Sequence, residues 1–493
     1  MRGSHAAPPQ EDLTGDQHAA PATSVLSVSS LVGAGLPALL LGVVLAIVVR
    51  AFARPLTNPD TYFHLRFGAE FLHGWSLRDP GSVTTQATAS WVPTQWLPEI
   101  VMARFEDWFG LPGVAWLAGA AVIGLVVACY VAARRRAEPL VAVALVMAAL
   151  LAASIALSAR PQVISYVFVV LTVDAWLRTA DDGRPRWWLV PMTWLWAMCH
   201  GMWPLGLALG GLALVGLAVD RRTTRAAWLR LACVPALSAL AAALTPVGPE
   251  LYVQILRVQD RASYFQEWRS PHLTNHACVT LLVLLAVTAV ALVRTGWPGG
   301  VTALLLAAAV ACAFWSWRTV PVSAAMTVPL AAPLLQRWTG RRPAPPRRRE
   351  LAALATGCLV ALVALGLAVP HRVPDPTRSP GWLRPAMSSL PPGTEVLSTW
   401  DTSAVLMWRF PQLDVIAHGY GDTYTLPELR RSYDVQVLAP GWVADLKSTR
   451  CTVAVLSTQS PLARALVTQE HWQVVHRSPG LEMVTAPTGW LRG

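Results

Sequence analysis

Long apolar stretches separated by short charged gaps constrain this chain more than any other feature. They recur from Val28 to Ala368. About 20 apolar residues cross the hydrocarbon of a bilayer, and irregular backbone cannot face lipid. The pattern predicts an all-α polytopic membrane protein. Composition agrees: of 493 residues, 54% are hydrophobic and only 14% charged, where a soluble protein carries about a quarter charged. Polar chemistry must then sit in a few loops.

Spans are expected at about 28–50, 111–133, 139–157, 163–178, 186–200, 203–219, 229–247, 274–293, 300–316, 319–336 and 350–369. The pair 186–200 and 203–219 is the doubtful one, since together they could form a single bent span. Counted separately they give about 11 transmembrane helices, and counted together 10. The charge pattern favours eleven. The net charge of +11 lies largely in short loops: Arg134 to Arg136, Arg184 to Arg186, Arg221, Arg222, Arg225 and Arg230, Arg294, and Arg337 to Arg349. Eleven spans put all of these on one side, as the positive-inside rule requires, with Arg50 and Arg54 the exception. This is a membrane footprint, so no nucleic-acid partner is expected. The expected location is the plasma (inner) membrane of a bacterial cell, with the N-terminus cytoplasmic and the C-terminal part extracytoplasmic. Residues 1–27 are polar and read as disordered. The first apolar stretch is too long for a signal-peptide core and is read as a retained span. The seven cysteines show no paired framework.

This topology puts a loop of about 50 residues, 57–110, on the outer side, far longer than a connector needs. The turn Ser158-Ala-Arg-Pro-Gln162, the segment Gly248 to Leu273 and everything after about Pro370 share that side. Residues 370–392 read as a Pro/Ser-rich linker, and 393–493 as a small α/β domain packing over the outer face. In it Glu395–Ser398, Ala404–Trp408, Asp414–Ile416, Cys451–Leu456, Trp472–Val475 and Leu481–Val484 look like strands. Pro427–Tyr433 and Pro461–Val467 look like helices opened by proline. The domain has no GxGxxG, P-loop or G-x-S-x-G.

The uncommon polar residues of the membrane part gather on the outer side: Asp60, His64, Arg66, Glu70, Glu99, Arg160, His200, Glu267 and His272. Ordinary loop solvation explains some of them. It explains Asp60, Glu99, Arg160 and His200 poorly, because a charge near the bilayer edge is costly without a partner. If Asp60 opens a helix, as its place before a helical run suggests, His64 shares its face. Arg160 stands in a turn of about five residues with no evident need for it, although an interfacial arginine that snorkels would look the same. Tryptophans such as Trp91, Trp187, Trp194 and Trp315 cluster at span ends, as interfacial belts do.

The string Asn58-Pro-Asp-Thr-Tyr-Phe-His-Leu-Arg-Phe-Gly68 continues through Leu77-Arg-Asp-Pro-Gly-Ser82 to Trp91-Val-Pro-Thr-Gln-Trp-Leu-Pro-Glu99. It resembles the first outer loop of bacterial membrane proteins of the GT-C glycosyltransferase superfamily, in a largely uncharacterised subgroup. Ala159-Arg-Pro-Gln162, Leu195-Trp-Ala-Met-Cys-His-Gly201, Glu267-Trp268 and Trp317-Arg-Thr-Val-Pro321 extend the resemblance over most of the chain. Met198, Cys199 and Thr319 depart from it.

The resemblance implies inverting sugar transfer from a polyprenyl-phosphate donor to an envelope glycan or lipid acceptor. Such chemistry needs a carboxylate base, for which Asp60 with His64 is the candidate pair. It also needs positive charge for the phosphate, and Arg66, Arg160, His200, Arg269 and Arg318 are available. Glu99 and Glu267 are candidate substrate-binding residues as well. Asp60, Glu99 and Glu267 could together hold Mg or Mn, though no spacing compels a metal. A non-catalytic component of envelope assembly and a lipid or glycan transporter are the competing readings. The gathering of polar groups at one face speaks against the transporter.

Overall fold

The computed structural model describes residues 35–221 and 223–492, apart from the side chains of 258, 259 and 492. Segment 1–27 and Arg222 lie outside them, and the first apolar stretch is described from residue 35. Among the described residues, seven helices are long and apolar enough to cross a membrane, and four more apolar helices are shorter: Leu36–Phe52, Leu189–Cys199, Trp203–Val219 and Gly300–Trp315. Together they match the eleven expected stretches.

Contacts at the helix ends fix the direction of each pass. Arg134 binds Glu350, Arg136 binds Asp174, the Glu138 amide donates to Gln336, and Asp220 caps the helix Gly300–Trp315 through the Gly300 amide. These gather one set of ends. The opposite set is tied by Arg160, which holds both Asp60 and Glu267, and by Arg318, which reaches Glu267 and His200. Successive helices therefore alternate in direction. Leu189–Cys199 and Trp203–Val219 are two separate helices, joined by a tight turn at His200. The helix Val320–Trp338 runs through the middle, and its hydroxyls Ser323 and Thr327 donate to the backbone carbonyls of Ala309 and Ser323. In a medium without water, every interior donor needs such an acceptor.

The 57–110 loop is largely folded. The helix Asp60–Leu72 opens just after the first span. The Asn58 side chain accepts from the Asp60 amide at 3.0 Å, and the capping position is Pro59 rather than Asp60. The second span does not begin at 111: its helix starts at Trp96 and is broken at Gly110 (φ 65°), just before Pro112. Positive φ there favours glycine. Gly68 is needed for a different reason. A Cβ on it would stand 2.0 Å from the carbonyl oxygen of Glu99, so only glycine lets these two loop helices touch.

The C-terminal domain is built on a five-stranded sheet of β1 Glu395–Ser398, β2 Asp414–Val415, β3 Val453–Leu456, β4 Gln473–Ser478 and β5 Leu481–Thr485. The strand order is β2-β1-β3-β5-β4. β1 pairs in parallel with β2 and β3, and β5 is antiparallel to β3 and β4. The helices Leu426–Val437 and Pro461–Thr468 lie where proline suggested. Two expectations need correction. Ala404–Trp408 is no strand but part of the helix Trp400–Arg409, which Thr399 caps through the Thr402 amide. Its apolar residues look continuous in sequence, but a helical face buries Ser403, Ala404, Leu406 and Met407. The stretch 370–392 is not an open linker. It contains the helix Leu383–Ser389 with Met387 fully buried, and Asp375 grips Arg384 and Thr377.

The domain packs over the 57–110 loop. Trp408 lies against Tyr62 at 5.3 Å between ring centroids, and Tyr420 against Phe67 at 4.9 Å. Loop residues Thr85 and Thr88 donate to Asp414 and Glu428.

Candidate active site

A cavity of about 480 Å³ lies between the site end of the helix bundle and the C-terminal domain. A chain of alternating charges lies along its floor. Asp60 Oδ2 lies 3.0 Å from Arg160 Nη2 in an ion pair, and Arg160 Nη1 donates to Glu267. The other oxygen of Glu267 accepts from Arg318 Nη1 at 3.2 Å. Arg318 Nη2 lies 3.3 Å from His200 Nε2, and His200 Nδ1 lies 3.0 Å from Ser165 Oγ. The Met202 backbone N–H also reaches His200 Nδ1, at 3.3 Å, so both ring nitrogens of His200 are engaged. Trp268 covers Arg318, with its ring centroid 5.4 Å from the guanidinium carbon.

Each member reaches the floor by local structure. Asp60 and His64 are one turn apart on the helix Asp60–Leu72. Arg160 stands in the turn before Gln162–Asp182, and His200 in the turn between the two short apolar helices. Glu267 and Arg318 come from 3-10 turns, Gln266–Trp268 and Trp317–Thr319. The departures Met198, Cys199 and Thr319 leave this chain intact. Met198 and Cys199 are buried, and Thr319 closes a capping box with Ser316.

The electrostatics set the protonation states. Burial raises the Asp60 carboxyl above the ordinary aspartate value of 3.8, with Arg160 pulling the other way. Glu267 loses solvation too, but Arg160 and Arg318 outweigh that loss and hold its carboxyl below 4.5. Burial works against the charge of Arg160, yet Asp60 and Glu267 more than compensate and keep it charged. His64 and His200 are pushed well below 6.5, by burial first and then by the two arginines. Both are neutral at physiological pH.

The expected site residues divide into four groups. Asp60, His64, Arg160, His200, Glu267 and Arg318 line the cavity. Glu99 sits beneath it, fully buried, and pairs with His64 Nδ1 at 2.8 Å. It orients His64 and is screened from a substrate. Arg66 is turned away: it pairs with Glu70 at 2.7 Å, one helical turn along and off the Asp60–His64 face. Arg269 lines a second cavity, of about 470 Å³, on the far side of Arg160 and Arg318. A separate apolar groove of about 640 Å³ runs between the helices Pro139–Ala153 and His276–Thr295, lined by Leu145, Val283 and Trp338 among others, and shares no lining residue with either cavity.

Asp60, Glu99 and Glu267 fit a divalent cation poorly. Arg160 holds both Asp60 and Glu267, and Glu99 is turned to His64. Among the described residues no three His, Cys, Asp or Glu side chains converge as a metal-binding group.

The sequence reading missed the cavity roof. Asp401 and Trp400 begin a helix of the C-terminal domain, Gly419, Tyr420 and Asp422 form a loop beside them, and Gln254 faces the same space. Nothing in local spacing marks residues about 190 to 360 positions from Asp60 as its neighbours.

No protein-family model and no curated protein matches the sequence. Solved structures do match. ArnT from Cupriavidus metallidurans in the apo state is 16% identical, with a TM-score of 0.54 over 92% of this chain and 98% of that one. The same protein bound to undecaprenyl phosphate is 16% identical, with a TM-score of 0.52 over 93% and 99%. The archaeal oligosaccharyltransferase AglB from Archaeoglobus fulgidus, in complex with an inhibitory peptide and a dolichol-phosphate, is 12% identical, with a TM-score of 0.55 over 88% and 70%. At these identities the likeness is one of fold. The chain has the architecture of the GT-C glycosyltransferases and is a multi-pass membrane protein.

Proposed function

We propose that this protein is an inverting glycosyltransferase. It takes a sugar from a polyprenyl-phosphate donor and passes it to a cell-envelope glycan or lipid acceptor at the outer face of the plasma membrane. One observation carries the reading: Asp60 is ion-paired to Arg160, and the Arg160–Glu267–Arg318 bridge separates two cavities. A base and two phosphate-binding cations thus meet at one point, and a separate groove between the helices Pro139–Ala153 and His276–Thr295 is apolar enough for an isoprenoid tail. The two neighbours solved with undecaprenyl or dolichol phosphate are in keeping with such a ligand.

The chemistry follows from the geometry. The acceptor oxygen attacks the anomeric carbon from the face opposite the phosphate. The bond from that carbon to the phosphate oxygen breaks, and the lipid phosphate leaves with the electron pair. The hydroxyl proton passes to Asp60. Arg160 and Arg318 neutralise the leaving phosphate, and a fork of donors suits its oxygens. Burial makes Asp60 a stronger base than an exposed aspartate. A phosphate that draws Arg160 toward itself frees the Asp60 carboxylate at the moment it is needed. No step passes through a metal.

In this reading the arginine-rich end of the bundle is cytoplasmic and the C-terminal domain is outside. A reporter fused after Gly340 then reads cytoplasmic, and one fused after Arg372 reads exterior. The same side for both overturns the orientation.

Transfer from polyprenyl-phosphate sugars to envelope fractions tests the chemistry. Asp60→Asn keeps the size of the side chain and removes the base, so turnover should fall by about 100-fold or more while protein level and Tm hold. Full transfer by that variant removes Asp60 from the reaction. No transfer by the wild type with any such donor favours the assembly-component reading.

A further inference from the structure

Glu99 stands where a carboxylate is poorly served. It is fully buried, as is His64, its partner at 2.8 Å. Oε1 faces His64 Nδ1, while Oε2 is buried and has no hydrogen-bond partner among the described residues. Among those residues no arginine forms an ion pair with it, whereas Glu267 bridges two. The Phe63 ring lies edge-on to His64 at 4.4 Å, and the Tyr420 ring at 6.3 Å. The charged and titratable groups around the pair are few. Asp60 is one turn away, Arg160 and Arg318 oppose charge on the imidazole, His200 lies beyond it, and Tyr420 comes from the C-terminal domain on the Glu99 side.

The protons of the pair can be placed by elimination. An ionised Glu99, with His64 charged or neutral, leaves a charged oxygen buried without a donor. A charged His64 would also put a third cation beside Arg160 and Arg318. A neutral carboxyl with its proton on Oε2 leaves a buried O–H with nothing to donate to. A proton on Oε1 has a use: it is donated to His64 Nδ1, and Oε2 becomes a carbonyl oxygen, which tolerates the lack of a partner better than a donor does. The proton of the neutral imidazole then sits on Nε2. Nδ1 is turned to Glu99 and His64 lines the cavity, so Nε2 is the nitrogen left for the cavity.

We infer that Glu99 is a protonated carboxylic acid and a positioning residue, which locks His64 in the tautomer that presents Nε2–H to the cavity. His64 is then a hydrogen-bond donor to a ligand oxygen and not a second base. A carboxyl group kept neutral in an apolar site serves by donating a hydrogen bond. The two members of the candidate pair thus part in role. Asp60, ionised and held by Arg160, takes the proton. His64, one turn along, keeps its own. What His64 donates to rests on the proposed transferase reading, whereas the protonation of the pair does not.

The test uses the full-length protein in lipid nanodiscs, with histidine labelled at both ring nitrogens. NMR reads His64, identified by the signals lost in His64→Gln, between about pH 5 and 8. The expected spectrum is that of a neutral imidazole protonated at Nε2 over the whole range. Infrared spectra should show the carbonyl stretch of a protonated carboxyl group, and Glu99→Gln should remove it. That variant keeps Tm and the Nε2–H tautomer, because its amide N–H also donates to Nδ1. Glu99→Leu removes the donor and lets the two tautomers mix. In transfer assays Glu99→Gln lowers kcat by about threefold or less, whereas a carboxylate that strengthened His64 as a base would make the same change cost about 10,000-fold. His64→Gln places an amide N–H near the position of Nε2–H, so His64→Phe should lose about tenfold more activity. A charged His64, a tautomer protonated at Nδ1, or a carboxyl stretch untouched by Glu99→Gln overturns the inference. These spectra read the protein at rest, so they decide the question whether or not transfer is found. Expected spectra with no transfer by the wild type remove the transferase reading alone.

Discussion

The two ends of the helix bundle use the same residue types to opposite effect. At the arginine-rich end, Arg134 is buried and fully occupied. It binds both oxygens of Glu350 at 2.6 and 3.0 Å and donates to the carbonyls of Ala137 and Ala344. Tyr130 adds a bond to the same glutamate. Arg135 and Arg136 close on Asp174 in the same way. At the other end, Glu267 bridges two guanidiniums while its side chain stays 39% exposed, and cavities open on both sides of it. A closed ion pair joins helices. A half-open one keeps charge in position for a ligand, because its members can exchange partners without leaving a charge stranded.

Breaking one pair at each end tests that contrast. The largest stability effect is expected at the closed end. Glu350→Ala leaves the buried Arg134 without its carboxylate, at a cost of about 3 kcal/mol, and Tm should fall sharply in thermal unfolding. The protein that remains folded should bind undecaprenyl phosphate normally. Arg160→Ala at the open end should do the reverse. Loss of charge-assisted phosphate contacts, each worth about 1.5–3 kcal/mol, weakens donor binding by about tenfold or more, with a smaller change in Tm. Equal Tm losses in both variants would erase the distinction.

Gly68→Ala sharpens the comparison from within the open end. The added Cβ meets the Glu99 carbonyl, and overpacking of this kind costs about 1–3 kcal/mol. Because the same contact seats Glu99 under His64, turnover should drop by more than undecaprenyl phosphate binding does. A loss of Tm with turnover unchanged would mean that the His64–Glu99 pair has no part in transfer.

The smallest effects are those of pH. In the proposed reaction Asp60 acts as base only when ionised, and burial puts its folded value above 3.8. The acid limb of kcat should therefore report a group above 3.8 and vanish in Asp60→Asn. Ionising Asp60 opposes folding, so its contribution to stability declines as pH rises through the raised folded value. Glu267 has the opposite sign. Its folded value is held below 4.5, so its ion pairs add stability above that pH and lose it as pH falls through the lower folded value. Glu267→Gln should flatten Tm against pH in that acid range. Neutral His64 and His200 predict no rate inflection near 6.5, and one that disappears in His64→Gln would contradict their burial.

How much of this was legible in the sequence depended on range. The apolar stretches, the break between 200 and 203, the arginine-rich gaps and the prolines opening the helices at 426 and 461 are local patterns. A window of 20 residues holds all the information they need. The common face of Asp60 and His64 is equally local, a matter of one helical turn. Which side that face would turn to was not local. Arg66 and Glu70 are also one turn apart, and only packing against the helix from Trp96 and the C-terminal domain chose the Asp60 side for the cavity. Ala404–Trp408 read as a strand because a short apolar run has no period of its own. Its partners, Tyr62 among them, made it a helix.

The sequence by itself determined the membrane class, the apolar helical stretches and the end of the bundle where polar residues gather, because hydropathy and charge act residue by residue. Only the tertiary structure decided that Arg160 bridges Asp60 and Glu267, that Glu99 serves His64, and that Gly419 stands over the base. Those contacts join positions 35 to about 360 residues apart. Their energies depend on distance and burial, and neither exists until the chain has packed.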